Sequence, residues 1–243
     1  MSDLKPKPAF DAARRIKWLM TGVLAAVGLY TGGWFYAARE VGGQVSAQLD
    51  QLATQGVAID CPDRNVRGFP FRIGVFCSDF AVDAASQRLA LKGGAFRSTA
   101  QVYNPRRVLI EIDGPLALSA PSGPVQLDYE VGQAVVEARA PGRRALSAEF
   151  ESGVLRTNDA SASWDRITAF SREYTGNLEV ALQASDLTVD TLPLPPLGLN
   201  MDAVIEGASY DETEMAGKSG TLRRLTVRFA QDQGVLIEGP FTV

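Results

Sequence analysis

The chain of 243 residues has no histidine and only two cysteines. Without imidazole the commonest general base and the commonest metal ligand are missing, and no Ser-His-Asp or Cys-His arrangement can be assembled. Low-complexity disorder is excluded as the main state, because 46% of the residues are hydrophobic and the net charge is only −4. Basic clusters interleaved with aromatics are also lacking. Residues 1–17 carry five basic and two acidic groups, a net of +3, and residues 18–38 carry none. The remainder carries 19 basic and 26 acidic groups, a net of −7. An acidic body is repelled by phosphate backbones, so nucleic acid is not an expected partner.

What is present begins with residues 18–38, WLMTGVLAAVGLYTGGWFYAA. As a helix rising 1.5 Å per residue this stretch spans roughly 30 Å, the hydrocarbon thickness of a bilayer. Trp18 lies at one end, and Trp34, Phe35 and Tyr36 lie at the other, where amphipathic rings favour the headgroup layer. The basic flank keeps residues 1–17 cytoplasmic, which places residues 39 onward across a bacterial inner membrane, in the periplasm. A cleaved signal prefers a shorter apolar run and a small-residue cleavage site. The expected partner of 18–38 is therefore the lipid bilayer, as an uncleaved single-pass anchor. Val41, Val45, Leu49 and Leu52 then follow at helical spacing, which predicts a helical stalk over 39–56 that Gly56 closes.

From residue 57 onward the period changes to two. Ile73 and Val75, then Val108, Ile110 and Ile112, then Val125 and Leu127 alternate with polar or small residues. Leu178, Val180 and Leu182, and later Leu225, Val227 and Phe229, repeat the pattern, the signature of antiparallel strands with one buried face. Turn signals such as Asn104-Pro105, Gly114-Pro115, Pro141-Gly142 and Asp232-Gln233-Gly234 separate the runs. One lateral helix is expected over 162–174, where Trp164, Ile167, Phe170 and Tyr174 would share a face. The proline-rich stretch 191–200, TLPLPPLGLN, marks a stiff linker and a candidate sub-boundary within the 57–243 domain. The final run GVLIEGPFTV reads as an edge strand or as a sheet that stops early. The expected fold class is mainly β: a transmembrane helix and stalk, then an antiparallel curved sheet or sandwich with one lateral helix.

Candidate chemistry is sparse. Cys61 and Cys77 in an oxidising compartment predict a structural disulfide, which stabilises by roughly 3 kcal/mol for a loop of that length. Gly217-Lys218-Ser219 lacks the rest of a phosphate-binding loop. Asp211, Glu212 and Glu214 cluster without a calcium-loop pattern, and a solvated turn is the expectation. No cofactor, no metal site and no catalytic constellation is expected, so the chain reads as a non-enzyme.

Gly68-Phe69-Pro70-Phe71-Arg72 is the most distinctive local string, a turn leading into a strand. With the anchor, the stalk, Tyr103-Asn104-Pro105 and Leu192-Pro193-Leu194-Pro195, it resembles the bacterial domain-of-unknown-function family DUF2125. That resemblance implies a membrane-anchored envelope protein and transfers no catalytic residue. Repeated apolar strand faces with few helices to cover them suggest an apolar groove for lipid or another hydrophobe, lined by Ile73, Val75, Val108, Ile110 and Ile112. The alternative is a non-catalytic scaffold that pairs with other envelope proteins through its sheet edges.

Overall fold

The computed structural model describes residues 12–140, 143–210, 217–230 and 233–243. The N-terminal tail before Ala12, the turn at Pro141-Gly142, Asp232 and the acidic cluster Asp211, Glu212 and Glu214 lie outside them. Helix α1 (Ala12–Thr54) is followed by strands β1 (Val57–Asp60), β2 (Asn65–Arg67), β3 (Arg72–Cys77) and β4 (Phe80–Ala84). Next come β5 (Leu89–Gly93), β6 (Phe96–Gln101), β7 (Asn104–Ile112) and β8 (Leu116–Ala120). Strands β9 (Gly123–Asp128), β10 (Val131–Ala140), β11 (Arg143–Arg156) and β12 (Ser161–Tyr174) follow. The series closes with β13 (Asn177–Val189), β14 (Leu197–Ile205), β15 (Ser219–Ala230) and β16 (Gln233–Thr242).

Helix α1 runs unbroken through both the uncharged span and the expected stalk. Its residues from Ala13 to Tyr30 are exposed, and it is long and apolar enough to cross a membrane. Trp34 and Ala38 are buried and Val41, Val45, Leu49 and Leu52 half-buried, the stripe with which the helix packs along the first strand, β1 and β2. Arg64 Nη2 donates to Ser46 Oγ at 2.9 Å across that contact. Gly56, at φ +85°, ends the helix in the left-handed conformation that glycine tolerates.

All sixteen strands belong to one sheet, and every ladder is antiparallel. Its topology is simpler than sixteen strands suggest. The pairs β1/β2, β3/β4, β5/β6, β7/β8 and β9/β10 are each one long strand interrupted once, so the sheet is an up-and-down meander of eleven long strands. The interruptions at 61–64, 78–79, 94–95, 113–115 and 129–130 lie side by side across the sheet. The line continues through Ser152, opposite Asp165, and through Asp186, with Ser152 at φ +50° and Asp186 at φ +52°. A crease thus crosses the first eight long strands. At this crease the apolar alternation slips by one, giving a three-residue step from Cys77 to Phe80, Gly93 to Phe96, Phe150 to Gly153 and Trp164 to Ile167. Local ladder breaks of this kind bend strands and increase twist. Aromatic rings fill the bend: Phe80 and Phe96 meet edge to face at 6.2 Å, and Tyr129 and Phe150 at 5.2 Å. A Cβ on Gly153 would lie 2.2 Å from the Trp164 ring, so only glycine admits it.

Two expectations are corrected. Residues 162–174 form no lateral helix; they lie within strand β12, paired along its length with β11 and β13. The crease step from Trp164 to Ile167 imitates a helical spacing, and tertiary pairing overrides the pattern. The sandwich alternative also falls, because the strands form one continuous open sheet. Pro193, Pro195 and Pro196 sit outside the strands, as a proline without a donor requires, and β14 resumes pairing with β13 just after them.

Candidate functional site

Directly opposed residues of an antiparallel ladder project to the same face, so the register can be followed across the sheet. One row runs from Ile73 through Ala100, Val108, Val136 and Leu146 to Ser171, Val180 and Ala203. The next row holds Ile110, Ala134, Ala148, Ala169, Leu182, Met201, Leu225 and Ile237. Ile112 stands opposite Phe96, and Val75 follows Ile73 by alternation. The five residues expected to share an apolar face, Ile73, Val75, Val108, Ile110 and Ile112, therefore do share one. That face continues far beyond them, to β16.

The other face is polar. Arg97 pairs with Glu111 at 3.2 Å, Gln133 Nε2 donates to Glu149 at 3.0 Å, and Arg223 pairs with Glu179 at 3.0 Å. Hydrogen bonds from Arg97 hold the Asp113 carboxyl below its ordinary range, and Arg172, then Arg223, do the same for Glu179. A cavity of about 430 Å³ on this side is lined by Arg166, Thr168, Gln183, Asn200, Thr226 and Arg228. Its Arg166 is already engaged by Glu149 at 3.1 Å and Glu151 at 2.6 Å.

Nothing in the described chain forms a second layer over most of the apolar face. Helix α1 packs along the first strand, and among the described residues no large side chain is fully buried. The uncovered side chains frame two cavities. One of about 250 Å³ is lined by Leu146, Ala148, Ala169, Val180, Leu182 and Met201. The other, about 430 Å³, is lined by Val180, Met201, Ala203, Leu222, Leu225 and Ile237 among others. Val180 and Met201 belong to both, so the two form one apolar trough of a size typical of ligand sites. A polar cluster adjoins it at Ser171. Arg144 Nη2 lies 3.1 Å from Glu173 Oε1, the Tyr210 N–H donates to the same oxygen at 2.7 Å, and the Tyr210 and Ser171 hydroxyls share a hydrogen at 2.6 Å. Glu173 is buried, and the hydrogen bond from Arg144 holds its carboxyl below the usual range.

The cysteines pair as expected. Cys61 and Cys77, with Cα atoms 5.7 Å apart, tie the break between β1 and β2 to the end of β3, at the crease. Alongside, the Ser78 N–H donates to Asp63 Oδ1 at 2.9 Å, which lowers the Asp63 pKa. The string Gly68, Phe69, Pro70, Phe71 and Arg72 forms the turn from β2 to β3, away from the trough. The Trp34 indole N–H donates to Arg72 O at 2.9 Å, and the Phe69 ring lies 5.5 Å from Trp34 and 6.0 Å from Phe35. The motif is a joint between helix and sheet.

None of the five expected groove residues lines the trough; Ala169, Val180, Leu182, Met201, Leu225 and Ile237, which do, were not among them. The three-residue step, repeated from strand to strand, is the signal that finds it, since it shows where the alternation resumes after each bend. In comparisons with known proteins, no curated protein and no solved structure matches the chain. Residues 34–238 match the family described as an uncharacterised protein conserved in bacteria, DUF2125, and the chain belongs to that family.

Proposed function

We propose that this member of an uncharacterised bacterial family is an inner-membrane-anchored periplasmic protein that holds a lipid acyl chain, or a similar elongated hydrophobe, in its trough. It acts by binding and not by catalysis. The observation that carries this reading is the union of two apolar cavities through Val180 and Met201 on a sheet face with no second layer. Exposed apolar surface of this extent is unfavourable in water and is relieved by a partner or by lipid. The helix, whose exposed stretch includes Leu19, Leu24 and Leu29, would keep the sheet beside a reservoir of acyl chains. The charge asymmetry across 18–38 supports a cytoplasmic N-terminus, and the disulfide supports an oxidising compartment.

The test is photocrosslinking of the full chain in its native membrane, with a benzophenone amino acid at Met201 or at its neighbour Asn200 on the opposite face. A lipid-mass adduct at Met201 and none at Asn200 is expected. Equal or absent adducts at the two positions would overturn the reading. The scaffold alternative rests on β16, whose only partner among the described residues is β15 and whose Leu236 is 60% exposed. It requires the same probe at Leu236 to capture a protein and the probe at Met201 to capture no lipid.

A further inference from the structure

The turns of the meander alternate between two ends of the sheet, and the two ends differ in chemistry. At the end that carries the turn 68–72, exposed aromatic rings stand at the tips: Phe69, Phe71 at 67% exposure, Tyr103 at 75% and Tyr174. The opposite turns, at 85–88, 121–122, 157–160 and 190–196, hold no aromatic residue.

The aromatic end is tied to the apolar part of α1. The Tyr30 hydroxyl donates to Pro70 O, Trp34 Nε1 donates to Arg72 O at 2.9 Å, and Phe35 stacks on Phe69 with 15° between the rings. A second turn joins the first, since the Val102 N–H donates to Phe71 O at 3.0 Å. The first charge after the uncharged run is Arg39, nine residues beyond Tyr30 and so roughly 13 Å further along the helix axis. A turn fastened to Tyr30 and Trp34 therefore sits at or below the depth at which the run ends. Arg72, Arg106 and Arg107 are exposed just behind the tips, where long cationic side chains can reach lipid phosphates.

We propose that the turns carrying Phe69, Phe71, Val102 and Tyr103 are embedded in the headgroup layer of the bilayer that α1 crosses, so that the sheet stands on the membrane by this end. The family string is then a membrane-seating element, its glycine and proline shaping the turn and its two phenylalanines entering the interface. This rests on the reading of α1 as a membrane anchor.

The experiment places single nitroxide labels on the full chain in vesicles of phosphatidylethanolamine and phosphatidylglycerol. Because both native cysteines are bonded to each other, an introduced cysteine is the one free thiol. Phe71→Cys and Tyr103→Cys report the tips, Leu24→Cys the span and Ser122→Cys the opposite end. Accessibility to oxygen relative to a water-soluble nickel chelate is expected to be several-fold higher at the tips than at Ser122 and below that at Leu24. Tip labels that match Ser122 while Leu24 reads as lipid would overturn the seating and leave the anchor standing. A Leu24 label exposed to the nickel chelate would overturn both.

Discussion

The two halves of the sheet are built from the same alternation yet are stabilised differently. The strands next to α1 are covered by the stripe from Trp34 to Leu52 and stapled by Cys61–Cys77. The last strands have neither. Val235, Leu236 and Ile237 are each more than 45% exposed, and the trough lies open from β11 to β16. Apolar area stabilises a sheet only where something removes it from water, at roughly 25 cal/mol per Å². The first strands thus have a cover and a cross-link that the last strands lack, and the last strands leave apolar surface exposed.

The disulfide is the strongest way to break this contrast. Cys77→Ser should destabilise the chain by about 2–5 kcal/mol, a drop of roughly 5–15 °C in the thermal midpoint, and reductant should reproduce it on the wild type. An unchanged midpoint would show that the covered half does not limit stability.

The same substitution in each half sharpens it further. A Cβ on Gly74, in β3, would lie 1.9 Å from the Ser98 carbonyl oxygen, whereas on Gly198, in β14, the nearest atom is 3.9 Å away. Gly74→Ala should cost about 3 kcal/mol by forcing two paired backbones apart, while Gly198→Ala should change stability by at most about 0.5 kcal/mol. Urea unfolding of the two variants measures the difference, and equal effects would refute the contrast.

The smallest expected effect concerns the polar cluster that adjoins the trough at Ser171. The Glu173 carboxyl is held below its unfolded value of 4.5, chiefly by Arg144. A depressed folded pKa contributes stability that is present above the unfolded pKa and is lost as pH falls through the folded one. Glu173→Gln should thus lower the midpoint at pH 7 by about 2–4 °C. The gap between variant and wild type should close as pH falls below 4.5 and through the folded-state pKa. A gap that persists into acid would assign Glu173 a role other than its charge.

Much of this architecture was legible. The uncharged run at 18–38, the stripe at Val41, Val45, Leu49 and Leu52, the cysteine pair and the alternating strands all report local or pairwise chemistry that composition and period express directly. The strand at 162–174 was not legible, because Trp164, Ile167 and Tyr174 fit a helical period as well as a bent strand. What separates the two readings is the partner: Ser147 faces Phe170 and Ala169 faces Leu182 only once β11 and β13 are in place.

The sequence by itself determined the class of the chain, since hydrophobic period and charge distribution act over a few residues and need no distant contact. It determined which residues are apolar on each strand, and so that Ile73, Val108 and Ile110 would share a face. Only the tertiary structure decided that the strands form one creased open sheet and not a sandwich. A sandwich and a single sheet require the same alternation and differ in what covers the apolar face, a choice made by non-local pairing. The trough through Val180 and Met201 follows from that choice.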